Sequence, residues 1–252
     1  MKSNIQLKYS DYAAFSQFFG CVVNNLGLDI VFPIVLEGYE DLYPEMINYA
    51  KSNMVKEETP DFLIYSGDLN VKLKKELKKQ GFIATEGKDM VAMFDLGDSI
   101  PDANIPEGYS ITTLEQDEDY EKYLLCMFKG FGHEESNEVF HYDEEREKEM
   151  KEAYTREYLN KDLKVSIVDK EGNYVAHCGM WYDSNSEIAL IEPVCVVPEC
   201  RRLGLGREVV YEGLRKVKLL GAKRAVVGSS QQFYYSLGMV PHKTGTLWKP
   251  VE

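Results

Sequence analysis

Apolar positions along this chain follow two periods. Recurrence at i, i+4 and i+7 predicts helices, and short unbroken apolar runs between turn formers predict buried strands. In the first third, Phe15, Phe18, Phe19, Val22 and Val23 predict a helix over Asp11–Leu26. An apolar strand over Asp29–Leu36 and an amphipathic helix over Leu42–Ser52 follow. Asp61–Tyr65 is a short buried strand, and Leu69, Leu73 and Leu77 set a helix over Leu69–Gln80, with Asp68 as its N-cap and Gly81 as its stop. Phe82–Ala84 and Met90–Asp95 are strand candidates. Gly97 to Gly108 then carries two prolines, two glycines and turn-forming aspartate and asparagine, which marks a linker. The expected organisation is a domain over 1–97, a linker over 98–108 and a domain over 109–252.

The second domain predicts a strand at Tyr109–Thr113 and helices over Asp119–Phe131 and Asp143–Asn160. A strand pair, Lys164–Asp169 and Tyr174–Tyr182, turns through Gly172 and Asn173. The most informative stretch starts at Glu187. Ile188–Ile191, Glu192-Pro193 and Val194–Val197 form one apolar strand that Pro198 closes, because proline cannot donate to a sheet ladder. The turn Arg201-Arg202-Leu203-Gly204-Leu205-Gly206 follows. A helix with Val210, Leu214 and Val217 on one face then runs to Gly221. Arg224–Val227 is a strand, Gln231–Leu237 a short helix and Met239–Trp248 the last strand.

The physical content of that turn is an anion site. Glycines let backbone approach a ligand with no Cβ in the way. The first N–H groups of a helix lack intrahelical partners and sit at the positive end of its dipole. Arg201, Arg202 and Arg207 add charge at the same place, so a diphosphate fits. A dinucleotide-binding turn would need a third glycine where Val209 stands, and a phosphate-binding P-loop would need lysine and a hydroxyl where Arg207 and Glu208 stand.

Charge sharpens this picture. The formal net charge of −13 argues against nucleic acid as a partner. Residues 201–224 nevertheless hold eight basic and two acidic side chains, which suits an anionic ligand there. Residues 115–152 hold fourteen acidic and five basic ones, read either as a cationic-substrate surface or as a solvated acidic helix. Five cysteines without Cys-x-x-Cys indicate neither a disulfide framework nor a zinc site, and no metal is expected. The first eleven residues lack the form of a signal peptide, and Ile30–Leu36 is too short for a membrane span. The expected location is cytoplasmic, with no membrane partner.

Arg201, Gly204 and Gly206 in the spacing Arg-x-x-Gly-x-Gly, after a strand ending in Val-Pro, resemble the acetyl-CoA signature of the Gcn5-related N-acetyltransferases (GNAT). The element order of residues 109–250 is similar to that family's α+β fold, a mixed central sheet flanked by helices. The resemblance implies that acetyl-CoA is a cosubstrate, that its pantetheine arm lies along Val194, Cys195 and Val196, and that its diphosphate sits on Arg201, Arg202, Leu203, Gly204, Leu205, Gly206 and Arg207. Tyr234, four residues before Gly238, matches the family's acid. Many members carry an asparagine before the last helix that touches the arm; in the connection Gly228–Gln232 here the candidates to substitute for it are Ser229 or a glutamine. Glu192 is the candidate base, since a carboxylate inside an apolar strand is expensive unless it is used, and burial would raise its pKa. Trp181, Tyr182 and Asp183 are candidates to hold a cationic acceptor. The implied activity is N-acetylation of a small amine in a ternary complex, by a monomer or homodimer. Acetylation of a protein amine and a non-catalytic acyl-CoA-binding module are the alternatives. The first half repeats strand, turn, helix and Gly-hydrophobic (Asp61–Tyr65 through Phe82), which suggests a degenerate copy of the same fold shaping the substrate cleft, or an unrelated α/β cap.

Overall fold

The computed structural model describes residues 20–25, 30–54, 62–136, 138–156 and 159–251. The chain forms two compact units, one of residues 1–90 with 243–252, the other of residues 91–242. This division differs from the expected boundary at 98–108. The strand that begins at Phe82 enters the second unit at Val91, and the last ten residues return to the first.

In the first unit, β1 (Gly20–Asn25) pairs antiparallel with β2 (Ile30–Val35), and β2 pairs parallel with β3 (Leu63–Gly67). Two helices, α1 (Tyr43–Asn53) and α2 (Val71–Lys79), accompany them. The helix expected over Asp11–Leu26 lies outside the described residues as far as residue 19, and from Gly20 the chain is strand. Cross-strand pairing of Val22 with Pro33 and Val23 with Phe32 overrides the helical spacing. The cap of α2 is Asn70, whose side chain accepts from the Leu73 amide at 3.0 Å; Leu69 stays exposed outside the helix. Asp68 is occupied elsewhere. It accepts from the hydroxyls of Thr244 and Thr246 and from Lys74, and these bonds, Thr244's first, hold its carboxyl down at about 2. This network secures the start of the final segment, in which β10 (Val240–Pro250) pairs antiparallel with β3 through Gly245–Trp248.

The two strand candidates after α2 are one strand, β4 (Phe82–Asp95). The polar stretch around Thr85 is not a break, because the Thr85 hydroxyl bonds the Leu247 carbonyl at 3.0 Å.

The second unit is a mixed sheet in the order β4-β9-β8-β7-β6-β5, using β5 (Ser110–Thr113), β6 (Lys164–Val168), β7 (Tyr174–Trp181), β8 (Ile188–Val196) and β9 (Arg224–Val227). Residues 92–95 supply the β4 edge. Every pairing is antiparallel except β8 with β9. Helices α3 (Tyr120–Gly130) and α4 (Glu144–Tyr154) precede β6, while α5 (Leu205–Leu219) and the short α6 (Gln232–Ser236) flank β9 in sequence. Strand alternation sorts the core. Cys178 and Met180 face Gly213 of α5, where an added Cβ would lie 2.9 Å from the Met180 side chain. His177 faces the opposite way, toward Tyr123 of α3, with ring centroids 4.8 Å apart.

The predicted face of α5 is buried: Val210, Leu214 and Val217 are fully enclosed, with Val209 and Leu205 beside them. Helix α4 is shorter than expected and buries none of its residues. The Thr155 hydroxyl takes the Glu152 carbonyl at 2.7 Å, so that carbonyl is satisfied without another turn. Its charges pair within the helix, Arg146 with Glu149, Lys151 with Glu147 and Lys148 with Glu152, as a solvated helix does.

Candidate active site

Strands β8 and β9 run together only for Ile188–Leu190 against Arg224–Val226. Beyond that point β8 continues to Val196 beside β7, while β9 ends at Val227. The departure coincides with a bulge. Cys178 faces Val194 and Met180 faces Ile191, so β8 carries one extra residue, at Glu192-Pro193, whose peptide bond is cis.

The ladder's alternation says which main-chain groups remain for a ligand. Val197 donates to the Val175 carbonyl at 3.0 Å, which makes the 175/197 and 177/195 pairs the hydrogen-bonded ones. Val194 and Val196 therefore turn their N–H and C=O groups away from β7, toward the space left by β9. Cys195 does not. Its backbone serves His177, and its thiol is buried against α3, 3.9 Å from the Cys126 sulfur and 3.6 Å from the Cys126 carbonyl. Of the three strand residues expected to meet the arm, Val194 presents a free N–H and C=O and Val196 a free N–H. The Val196 carbonyl already accepts from Arg201 Nε at 3.2 Å.

At the end of β8 the chain makes a 3₁₀ turn, Pro198–Cys200, and then enters α5. Arg202 and Gly204 both have left-handed backbone, φ 68° and 84°. Among the described residues, the amides of Arg202, Leu203, Gly204, Leu205 and Gly206 have no hydrogen-bond partner, whereas those of Arg201 and Arg207 bond the Pro198 and Gly204 carbonyls. Five successive donors at the N-terminus of a 15-residue helix are the cradle expected for an anion. Gly206 keeps it open. A Cβ there would stand 3.2 Å from Val196 Cγ2 and 3.4 Å from Phe233 Cζ, so β8, α5 and α6 converge on this one residue.

The arginines divide their duties. Arg201 also donates from Nη2 to the Gly130 carbonyl, at 3.2 Å, and so ties the end of α3 to the turn. Arg207 Nε bonds Glu208 Oε1 at 2.9 Å. Arg202 is exposed and, among the described residues, has no ion pair. Of the three arginines expected to add charge there, Arg201 also bonds main-chain carbonyls and Arg207 bonds Glu208. Glu208 was not anticipated. It is buried, and its Oε2 accepts from the Asn104 amide at 2.9 Å, which fastens the connecting segment to the first turn of α5. Its position in the first turn, where the dipole favours a carboxylate, was the available signal.

Tyr234 on α6 is buried beside Phe233, centroids 5.0 Å apart, and makes no side-chain hydrogen bond among the described residues. Burial, with Cys178 adding to it, pushes its hydroxyl up to about 12. It therefore holds its proton throughout the neutral range. Ser229 is half-buried, and its hydroxyl accepts from the Gln231 amide at 3.2 Å in the turn that leads into α6.

Glu192 departs from expectation. It is solvent-exposed rather than desolvated, because it continues the exposed side of β8 with Leu190, alternating with buried Ala189 and Ile191. Its carbonyl accepts from Trp181 Nε1 at 2.7 Å. The expected acceptor trio does not converge either. One face of the Trp181 ring is occupied by Lys164 Nζ, 3.6 Å from the centroid. Tyr182, the next residue, directs its hydroxyl toward Gly221 at the end of α5, within 3.6 Å of an added Cβ. Asp183 accepts from Asn185 N and Nδ2 in a tight turn. Neighbours on an extended chain point apart, and Asp183 is consumed by its own turn. Among the described residues, no group of His, Cys, Asp and Glu is arranged to hold a metal, and no helix is long and apolar enough to cross a membrane.

Residues 120–239 match the model of the "Acetyltransferase (GNAT) family". No curated protein matches the chain. Solved structures share its fold at low identity. A GCN5-related N-acetyltransferase from Sphaerobacter thermophilus is 15% identical, with a TM-score of 0.63 over 91% of this chain and 75% of that one. A tandem GNAT protein from the clavulanic acid biosynthesis pathway is 14% identical, with a TM-score of 0.61 over 93% and 80%. A GCN5-related N-acetyltransferase from Kribbella flavida is 14% identical, with a TM-score of 0.53 over 93% and 88%. The fold is the GNAT fold, a mixed sheet flanked by helices.

Proposed function

With residues 120–239 matching a family of acyl-CoA-dependent transferases, we propose that this chain transfers the acetyl group of acetyl-CoA to the amine of a small molecule by direct attack in a ternary complex. The observation that carries the reading is the parting of β8 from β9 after Leu190 next to five unpartnered amides at Arg202–Gly206. The diphosphate binds those amides, and Arg202 supplies the uncommitted charge. The pantetheine arm bonds the outward N–H and C=O of Val194 and the N–H of Val196, as a strand would, and brings the thioester toward Tyr234. The amine nitrogen then attacks the carbonyl carbon, a C–N bond forms and the C–S bond breaks. The departing thiolate takes the Tyr234 proton. The amine's proton goes to Glu192, directly or through water, since that carboxylate is open to solvent at the bulge.

We further propose that the first unit is a degenerate copy of the acyl-CoA-binding half. An antiparallel pair β1–β2, then α1, then β3 parallel to β2, then α2 and β4, repeats the sequence β7–β8, α5, β9, α6 and β10. Between β2 and α1, however, stand Glu37, Glu40 and Asp41, where the other copy has arginines and paired glycines. Carboxylates at that point repel a diphosphate, so only the second unit binds one.

Calorimetry with acetyl-CoA, followed by thiol release over a panel of small amines, amino-acid amides and peptides, tests the activity. One site per chain and turnover with a small amine are expected. Binding without turnover on any amine identifies a regulatory module instead, and turnover confined to peptides moves the acceptor to proteins.

A further inference from the structure

Lys164 is a lysine in the interior of the second unit. It lies on β6 with 2% of its surface exposed, and among the described residues it has no carboxylate partner. Its ammonium donates to the Met180 carbonyl at 3.0 Å and sits 3.6 Å from the Trp181 ring centroid. Trp181 in turn donates its indole N–H to the Glu192 carbonyl at 2.7 Å. Glu192 is the extra residue of the β8 bulge, and β8 leaves β9 just before it, at Leu190. Two contacts in series thus run from an interior cation on β6 to the apex of the gap.

We propose that Lys164 is a positioning residue that works as a proton-operated latch: its ammonium fixes the Trp181 ring, the indole fixes the Glu192 carbonyl, and loss of the proton frees the bulge. The proposal rests on the reading of the gap as the acyl-CoA site for its effect on binding, but the latch itself does not depend on that reading. Burial of a lone ammonium disfavours its charged form. Accordingly the lysine is held down to about 8 by desolvation, which brings its titration into an accessible range. The ring face and the carbonyl act in the other direction by favouring the cation, and they are contacts that neutral lysine gives up or weakens.

His177 and Cys178, the titratable neighbours of Lys164 on β7, are held far from its range. On β7, burial holds His177 down to about 3, so its ring is neutral, and pushes the Cys178 thiol up to about 12. Beyond His177, Tyr123 on α3 lies against that ring and Tyr154 on α4 against Tyr123; both are pushed upward by burial and keep their protons. Asp162, in the 3₁₀ turn before β6, is paired with Lys216 at 2.8 Å. The Glu192 carboxylate faces solvent.

The latch also bears on acceptor choice. A second cation on the open side of Trp181 would meet the field of the first, so the acceptor's ammonium is not held by this ring.

The test follows the two indole N–H resonances of the ligand-free protein, since the chain has two tryptophans. Trp181→Phe assigns them. The Trp181 signal is expected to shift with a midpoint near the value of about 8 above, and the Trp248 signal to stay fixed. In Lys164→Met, a similar volume without charge, the shift disappears. In Lys164→Arg, which keeps its charge at all accessible pH, the signal stays at its low-pH position. Lys164→Gln serves if the methionine variant does not fold. A Trp181 signal that is flat between about pH 6 and pH 10, or that titrates alike in Lys164→Met, overturns the proposal. Calorimetry then reads the consequence: acetyl-CoA affinity falls about tenfold from pH 7 to pH 9.5 in the wild type and is flat in Lys164→Arg. Equal pH profiles in the two proteins refute coupling to the gap. If acetyl-CoA does not bind at any pH, the acyl-CoA reading fails while the indole titration still decides the latch.

Discussion

Gly206→Val is expected to abolish measurable acetyl-CoA binding, a loss of more than about a hundredfold, in a protein that remains folded. A Cβ at this position already stands 3.2 Å from Val196 Cγ2 and 3.4 Å from Phe233 Cζ. The two γ-carbons of valine therefore enter the space between β8 and α6 that the arm and diphosphate require. Gly206 has ordinary helical backbone, so the change adds bulk without forcing a left-handed conformation, unlike a change at Gly204 with its φ of 84°. The cost falls on the ligand more than on the fold. Calorimetry for binding and thermal unfolding for integrity separate the two, and Gly206→Ala should lie between wild type and valine. Full affinity in a folded Gly206→Val would place the ligand elsewhere.

Tyr234→Phe is expected to lower kcat by about 10²–10³-fold, the usual worth of a positioned general acid, with acetyl-CoA affinity within about twofold of wild type. The hydroxyl has no protein hydrogen bond among the described residues, so its removal strands no partner and stability should hold. Burial pushes the Tyr234 hydroxyl up to about 12, so it carries its proton at neutral pH and well above it. Single-turnover kinetics with preloaded acetyl-CoA reads the step directly. An unchanged rate would assign the proton to solvent and leave Tyr234 as a wall of the gap.

The legible parts of this protein were those governed by local chemistry. Arg224–Val227 is strand as the apolar run predicts, and α5 buries Val210, Leu214 and Val217 as their spacing requires. Gly204 has left-handed backbone, which glycine accommodates, and the helix begins at Leu205. Errors arose where tertiary partners decided. Gly20–Asn25 is strand because Ile30–Val35 pairs with it, and β4 is continuous because Leu247, distant in sequence, bonds Thr85. Arg201 and Arg207 read as ligand charges, but their bonds to main-chain carbonyls and Glu208 were not legible, because sequence spacing alone does not show which partners folding delivers. Lys164 carried no signal at all. A lysine at the start of a strand is ordinarily exposed, and only the overlay of Trp181 identifies it as interior.

The central claim is that the amides of Arg202–Gly206 grip the diphosphate of acetyl-CoA. Amide hydrogen exchange measured with and without saturating CoA tests it most directly. Strong protection of those amides, with added protection of Val194 and Val196, is the predicted result. CoA that binds while exchange at Arg202–Gly206 stays unchanged would contradict the account.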